Sequence, residues 1–328
     1  MKSILMGGEK IFRVYSPAVR EKLSALCGLI PDKNFGPGDH VEFAGVEFIF
    51  STWGMPRFSA EEIRRYFPDL RAVFYAAGSV QGFARPFLDC GVRVFSAWAA
   101  NAIPVAAYTV AQILLAAKGF FPAWRIMKSG DAKLAKKTAA AYPGNFGAKI
   151  GVLGAGQIGS LVISQLAPAQ ASILVYDPFL SAERAAALGV VRAELSEVFS
   201  ACDIVTNHLA NKPQTVGLLN YDLFSRMPER AVFINTGRGA QVVEDDLVRA
   251  LSEEPGRMAL LDVTHPEPPV RDHPFYRMEN VILTPHIAGS MGNEVARMGE
   301  YMMQEAERVQ NGLTVRYEVT KEMLETMA

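Results

Sequence analysis

Lys149-Ile-Gly-Val-Leu-Gly-Ala-Gly-Gln-Ile-Gly159 is the stretch whose reading decides the fold. The apolar run Lys149 to Leu153 reads as a buried strand, Gly154, Gly156 and Gly159 as a turn, and Gln157 to Ala167 as a helix. Strand, glycine turn and helix together are the context in which a G-x-G-x-x-G pattern carries meaning. The glycines let the backbone approach a pyrophosphate, which then rests on a helix N-terminus, where free N–H groups and the helix dipole favour an anion. A second strand, Ser172 to Tyr176, ends in Asp177, close to the ~20-residue spacing at which an acid accepts hydrogen bonds from a ribose. The competing reading is a structural βα turn that binds no nucleotide. A carboxylate at this position repels a 2′-phosphate and so favours NAD over NADP.

The chain of 328 residues has room for two domains, and half of its residues are hydrophobic, enough for two cores. A net charge of −1 offers no basic field for nucleic acid. Three scattered cysteines, Cys27, Cys90 and Cys202, form neither a disulfide frame nor a metal site, and read as small buried hydrophobes. The N-terminus shows no signal-peptide pattern, and no apolar stretch reads as the ~18 residues of a membrane span. A soluble cytoplasmic protein is the expectation.

Working outward, strand-like and helix-like segments alternate, which argues for α/β architecture with parallel sheets. Before the glycine turn, strands are expected at Val46 to Ser51, Arg71 to Ala76 and Val92 to Phe95, with a capped helix start at Ser59-Ala-Glu-Glu62. Ile103 to Phe120 reads as a long buried or interfacial helix, and Phe121 to Ala141 as an arm. After Asp177, strands are expected at 203–207, 231–235, 258–263 and 281–283, with helices at 181–188, 244–252 and 289–310. The tail from Val315 to Met327 has no strand partner among the middle strands, so the last helix is read as returning the chain to the first domain. The expected division is 1–103 plus 290–328 for a substrate domain, and 104–289 for a dinucleotide domain of the Rossmann type.

Three consecutive strand ends carry chemistry: Asn235-Thr-Gly-Arg-Gly239, Asp262-Val-Thr-His-Pro-Glu267, and Thr284-Pro-His-Ile-Ala-Gly289. Ligands of open α/β sheets collect beyond the carboxyl ends of strands. Singly, Arg238 reads as a surface charge, Glu267 as a solvated loop acid and His286 as a structural histidine. Together at successive strand ends, they read as a site.

At these motifs the chain resembles the D-isomer-specific 2-hydroxyacid dehydrogenases, most strongly from Phe146 through Gly289, and upstream over Val94 to Thr109. The resemblance implies two Rossmann-like domains with the active site between them, NAD as cofactor, and hydride transfer between nicotinamide and a small D-2-hydroxy or 2-oxo acid. It implies that Arg238 grips the substrate's carboxylate and keto oxygen with its planar fork. His286 would move the proton and Glu267 would pair with it, a nearby carboxylate favouring imidazolium. It places cofactor contacts at Gly154, Gly156, Gln157, Ile158, Gly159, Asp177, His208, Thr236, Gly237, Arg238, Asp262, His286 and Gly289. Backbone at Ala77, Gly78 and Ser79 would bind the substrate carboxylate. No metal is implied, nor any nucleic-acid or membrane partner.

Departures from the family pattern concern substrate. Ser96-Ala-Trp98-Ala99 stands where Asn-x-Pro-Gly is common, and Ala107 where a glutamate often occurs. Trp53, in a loop after a first-domain strand, is a candidate wall for the substrate's variable end, against ordinary packing as the other reading. The 328 residues read as too short for the extra regulatory domain of some phosphoglycerate enzymes, so serine-type feedback control is not expected. Family members usually dimerise through the region of Ile103 to Ala141, so a twofold homodimer is expected. The scaffold also serves NAD(H)-sensing corepressors, which keeps a binding protein as the alternative function.

Overall fold

The computed structural model describes residues 1–325, and the end of the predicted 315–327 tail lies outside the described residues. The chain divides into two compact units. One comprises residues 1–102 together with the chain from Ser290 on, and the other is Ile103–Gly289.

The first unit is a six-stranded sheet. Its strands are β1 (Lys2–Met6), β2 (Leu29–Asn34), β3 (Val46–Ser51), β4 (Ala72–Tyr75) and β5 (Arg93–Ser96), with β13 (Glu318–Val319) at the end of the chain. The order is β13-β5-β4-β3-β1-β2, all parallel except β13, which runs antiparallel to β5. Alternation sorts the side chains to two faces. Ile4, Met6, Ile49, Val73 and Tyr75 enter one core, and Leu5, Phe48, Phe50, Ala72 and Phe74 the other. With both faces covered, the central strand β4, Ala72-Val-Phe-Tyr75, reads as an unbroken apolar run. Sequence patterning missed β1 and β2, which flank the helix Pro17–Cys27.

The C-terminal return is held by specific chemistry. Helix Glu294–Gln310 buries Val295, Met298, Met302 and Ala306, the i, i+3, i+4 spacing of a core-facing stripe. Glu305 on that helix is fully buried, and its Oε2 accepts the Arg316 and Tyr317 N–H groups at 2.8 and 3.1 Å. Arg93 then grips Glu318 with two hydrogen bonds of 2.7 and 2.6 Å. The helix begins at Glu294 and not at Gly289, because residues 289–293 form a turn whose Met291 N–H donates to Glu294.

The second unit is a seven-stranded, wholly parallel sheet. It contains β6 (Lys149–Leu153), β7 (Ser172–Tyr176), β8 (Val191–Arg192), β9 (Ile204–Asn207), β10 (Val232–Asn235), β11 (Met258–Leu261) and β12 (Val281–Leu283). The order β12-β11-β10-β9-β6-β7-β8 reverses between β6 and β9. That reversal is the topological switch point at which doubly wound sheets bind ligands. The first unit's reversal lies between β1 and β3.

Helix Trp98–Ala117 starts five residues before the expected Ile103 and runs straight through Pro104. It also corrects the expectation of no membrane-length apolar stretch, being long and apolar enough to cross a membrane. Half of its apolar window is buried, with Ala106, Val110, Ile113, Ala116 and Ala117 in the core of the second unit. A core helix rich in alanine and valine passes the same length and composition test as a span. Two shorter helices follow, Phe120–Lys128 and Ala132–Ala140.

Candidate active site

The glycine turn leaves β6 at the switch point. Gly154 has φ +88°, and a Cβ there would stand 2.8 Å from the His208 carbonyl oxygen. A Cβ on Gly159 would lie 2.0 Å from the Gly154 carbonyl oxygen, so the helix packs here only without a side chain. At Gly156 nothing lies within 4 Å of the position a Cβ would take. Gly156 is also the N-cap of helix Gln157–Leu166, and no side chain caps that helix. Open space over an uncapped N-terminus of ten residues fits a pyrophosphate.

Asp177 ends β7 and reaches back to the turn. Its Oδ2 accepts the Ala155 N–H and its Oδ1 the Phe179 N–H, both at 2.8 Å. Each carboxylate oxygen keeps a further lone pair for a ribose hydroxyl. Arg184 donates to the Ala155 carbonyl at 2.7 Å, so the turn is held at both the N–H and the carbonyl of Ala155. Sequence reading missed this arginine, which carries no motif.

His208 ends β9. Its Nε2 lies 3.0 Å from the Thr206 hydroxyl, while its Nδ1 is buried with no hydrogen-bond partner among the described residues. An orphaned polar atom beside the glycine turn is a further feature that suits a bound nucleotide. Burial pushes the His208 imidazole down to about 3. Its unfolded value of 6.5 is higher, so the unfolded chain takes up the proton first, and stability falls as pH drops from 6.5 toward 3. The expected slope is up to about 1.4 kcal/mol per pH unit. Urea unfolding midpoints at pH 7 and pH 5 measure it. His208→Gln should flatten the drop, and an equally steep drop in that variant would assign the effect elsewhere.

Beyond β10, the turn bearing Arg238 is fixed by a buried amide network. The Asn207 amide donates to Asn235 at 3.1 Å and to Gln241 at 2.7 Å. Asn235 in turn accepts the Gly237 N–H at 3.0 Å and donates to the Arg238 carbonyl at 3.2 Å. Thr236 meets Thr109 of the long helix, hydroxyl to hydroxyl, at 3.1 Å. The Arg238 guanidinium donates from Nη1 to the Gly237 carbonyl at 2.8 Å, leaving most of its fork unspent. Burial lowers its pKa and the charge of Glu267 opposes that shift, which places the two groups in electrostatic reach.

Beyond β11 and β12, Asp262 and His286 share one turn. The Asp262 carboxylate accepts Thr284 Oγ1 at 2.6 Å, Ile287 N–H at 2.9 Å and Ala288 N–H at 2.8 Å. Its backbone carbonyl accepts the His286 N–H at 3.0 Å, and Tyr108 reaches Thr284 at 3.0 Å. Asp262 is 2% exposed, and the observed work of its carboxylate is to hold this turn. The clamp matters because His286 has φ +53°, a left-handed conformation costing roughly 1–2 kcal/mol for a non-glycine residue. Gly289 closes the turn as the last residue of this unit.

The strand-end residues then meet. His286 Nδ1 lies 2.6 Å from Glu267 Oε1, with both side chains nearly half exposed. The structure thus brings Glu267 to His286 and sets Arg238 in reach of Glu267. In the first unit, Ala77 is buried after β4, and Ser96 Oγ donates to the Ala77 and Gly78 carbonyls at 2.9 and 2.6 Å. Trp53 follows β3 at that sheet's switch point, packed against both cores, with Lys10 Nζ 5.5 Å from its ring centre. Gly8 N–H donates to the Trp53 carbonyl at 2.7 Å. Among the described residues no cluster of three or more potential metal ligands occurs.

A doubly wound parallel sheet with a glycine turn and an acid at the second strand's end defines a dinucleotide-binding type of domain, with Arg238, Glu267 and His286 as a candidate site at its later strand ends. Residues 110–288 match the family described as D-isomer specific 2-hydroxyacid dehydrogenase, NAD binding domain. The chain belongs to that family, and NAD is the cofactor its second unit takes. It is 31% identical over 235 residues to D-3-phosphoglycerate dehydrogenase of Archaeoglobus fulgidus, a match spanning 72% of this chain and 44% of that protein. The chain thus spans less than half the length of that relative. Its fold is similar to the NAD-complexed D-isomer specific 2-hydroxyacid dehydrogenase of Lactobacillus delbrueckii ssp. bulgaricus, with TM-score 0.79 and 18% identity over 98% of this chain and 100% of that one. D-lactate dehydrogenase of Lactobacillus jensenii with NAD+ gives TM-score 0.78 at 20% identity, with the same coverage.

Proposed function

We propose that the protein is an NAD-dependent dehydrogenase or reductase acting on a small D-2-hydroxy or 2-oxo acid. The observation that supports this most is the 2.6 Å contact between His286 and Glu267 at a strand end of an NAD-binding domain. When bound, the nicotinamide supplies or accepts the hydride. With Nδ1 engaged by Glu267, His286 has Nε2 left to give a proton to the substrate's carbonyl oxygen, or to take one in the oxidation. Arg238 supplies the unspent guanidinium N–H groups that hold the carboxylate and polarise the keto oxygen. The Ala77-Gly78-Ser79 loop is proposed to offer its backbone N–H groups to a carboxylate.

A reductase panel tests the proposal. NADH absorbance is followed with glyoxylate, hydroxypyruvate, phosphohydroxypyruvate, pyruvate and branched 2-oxo acids. Turnover of at least one supports it, and NADH binding without turnover of any acid overturns it in favour of a nucleotide-sensing protein.

Trp53 is proposed to wall the substrate's variable end, since a ligand at the switch point of the first sheet meets the loops after β1 and β3. Trp53→Ala should then change the ratio of kcat/KM between large and small 2-oxo acids by about 10- to 200-fold, the worth of filling or emptying a hydrophobic pocket. A uniform change across the panel would return Trp53 to packing alone.

A twofold homodimer is proposed through the arm. Phe120, Trp124, Met127 and Leu134 are exposed on its two short helices, and helix Phe120–Lys128 buries none of its residues. An apolar face of this kind marks an interaction site. Light scattering should report twice the chain mass of 35.8 kDa, and a monomer at micromolar concentration would refute the assignment.

A further inference from the structure

Glu267 is an exposed acid on an exposed, proline-rich loop, and its one hydrogen bond among the described residues is to His286. A 2.6 Å contact made from such a loop requires that the backbone beneath it be held, because ordering a loose loop costs entropy at every residue. The hold comes from Glu244, the first residue of helix Glu244–Glu253, which follows the Arg238 turn. Its Oε1 accepts the His265 N–H at 2.7 Å, and its Oε2 stands 3.4 Å from His273 Nε2. Both side chains are 11% exposed. His273 Nδ1 accepts the Phe275 N–H at 3.3 Å, which leaves the ring proton on Nε2, facing the carboxylate.

Phe275 is buried in the core of the second unit, and its ring centre lies 4.3 Å from that of His273. One carboxylate therefore grips both ends of the loop 265–273, and Glu267 sits just past the first grip. The Arg238 turn rests on the same segment, since a Cβ on Gly239 would fall 2.0 Å from the Thr264 carbonyl carbon. Burial raises the Glu244 carboxyl above its ordinary value, while the His265 N–H and His273 draw it back and Asp245 adds to the rise.

We propose that Glu244 and His273 are positioning residues, a buried clasp that holds Glu267 at hydrogen-bonding distance from His286. The proposal rests on the reading of His286 and Glu267 as the proton-transfer pair. Neither clasp residue touches the reacting atoms, so both act through Glu267.

The test compares Glu244→Ala, Glu244→Gln and His273→Gln with the unaltered protein. Glu244→Ala should lower kcat about 10- to 100-fold, the loss of hydrogen bonds to a charged group, with NADH affinity by fluorescence unchanged. Glu244→Gln should lose less, because its amide oxygen still accepts the His265 N–H. In a Glu267→Gln background, Glu244→Ala should add no further loss, since its effect passes through the removed carboxylate. Losses that multiply, or kcat and NADH affinity falling together, would overturn the clasp. If Glu244→Ala does not fold, the two glutamine variants carry the comparison. If the unaltered protein turns over no 2-oxo acid, the functional reading fails and hydrogen exchange still decides the clasp. Non-proline amides of residues 264–273 should then exchange about tenfold faster in Glu244→Ala, or in His273→Gln if that variant does not fold, with β10 and β11 unchanged, and equal exchange would refute it.

Discussion

Replacing His286 by glutamine should lower kcat for 2-oxo acid reduction by about 10²- to 10⁴-fold while leaving NADH affinity in place. That range is roughly 3–5 kcal/mol of transition-state stabilisation. Glutamine keeps a polar group of similar reach but has no ring nitrogen that can give or take a proton. The turn survives the change, because Asp262 holds it through the backbone N–H groups of His286's neighbours and the Thr284 hydroxyl. The left-handed φ of +53° suits histidine somewhat better than glutamine, a difference of a fraction of a kcal/mol, so fold stability should fall only slightly. Steady-state kinetics with NADH titration by fluorescence separates the two effects. A His286→Gln enzyme with unchanged kcat would remove the histidine from the proposed chemistry.

Arg238→Met is the second large effect. It should reduce kcat/KM by at least about 10²- to 10³-fold, the scale seen when one preorganised donor to a developing oxyanion is removed. The loss should appear in both KM and kcat, because the same fork is proposed to bind the carboxylate and polarise the keto oxygen. A general collapse of the fold is not expected. Among the described residues the guanidinium makes a single hydrogen bond, to the Gly237 carbonyl, and replacing a largely buried charge by an apolar side chain of similar length removes a desolvation cost. The turn's shape comes instead from Asn207, Asn235 and Gln241. Arg238→Lys keeps the charge and loses the fork, so recovery of most of the activity by lysine would show that charge alone suffices. Equal kcat/KM in Arg238→Met and the unaltered protein would overturn the assignment.

Much of this was legible residue by residue. The β6 turn and the strand that ends in Asp177 follow from local spacing, because glycine conformation and a buried strand are short-range properties. Ser59 and Glu62 announced their helix start, and they form the reciprocal cap with bonds of 2.7 and 3.2 Å. Helix Trp98–Ala117 was harder, since a proline reads as a boundary, yet here Pro104 lies inside the helix. The strands β1 and β2 carry short apolar runs that a sheet alone distinguishes from other buried segments.

The sequence by itself determined the α/β class and the dinucleotide turn, and it singled out Arg238, Glu267 and His286 as a candidate set, because each is written in residue type and short spacing. Only the tertiary structure decided that Asp262 turns inward to hold the histidine's turn, that Asn207 and Gln241 shape the arginine's, and that Glu244 holds the loop of Glu267. Those pairings join residues from different strand ends, and strand order, a property of the whole sheet, is what brings them within hydrogen-bonding distance.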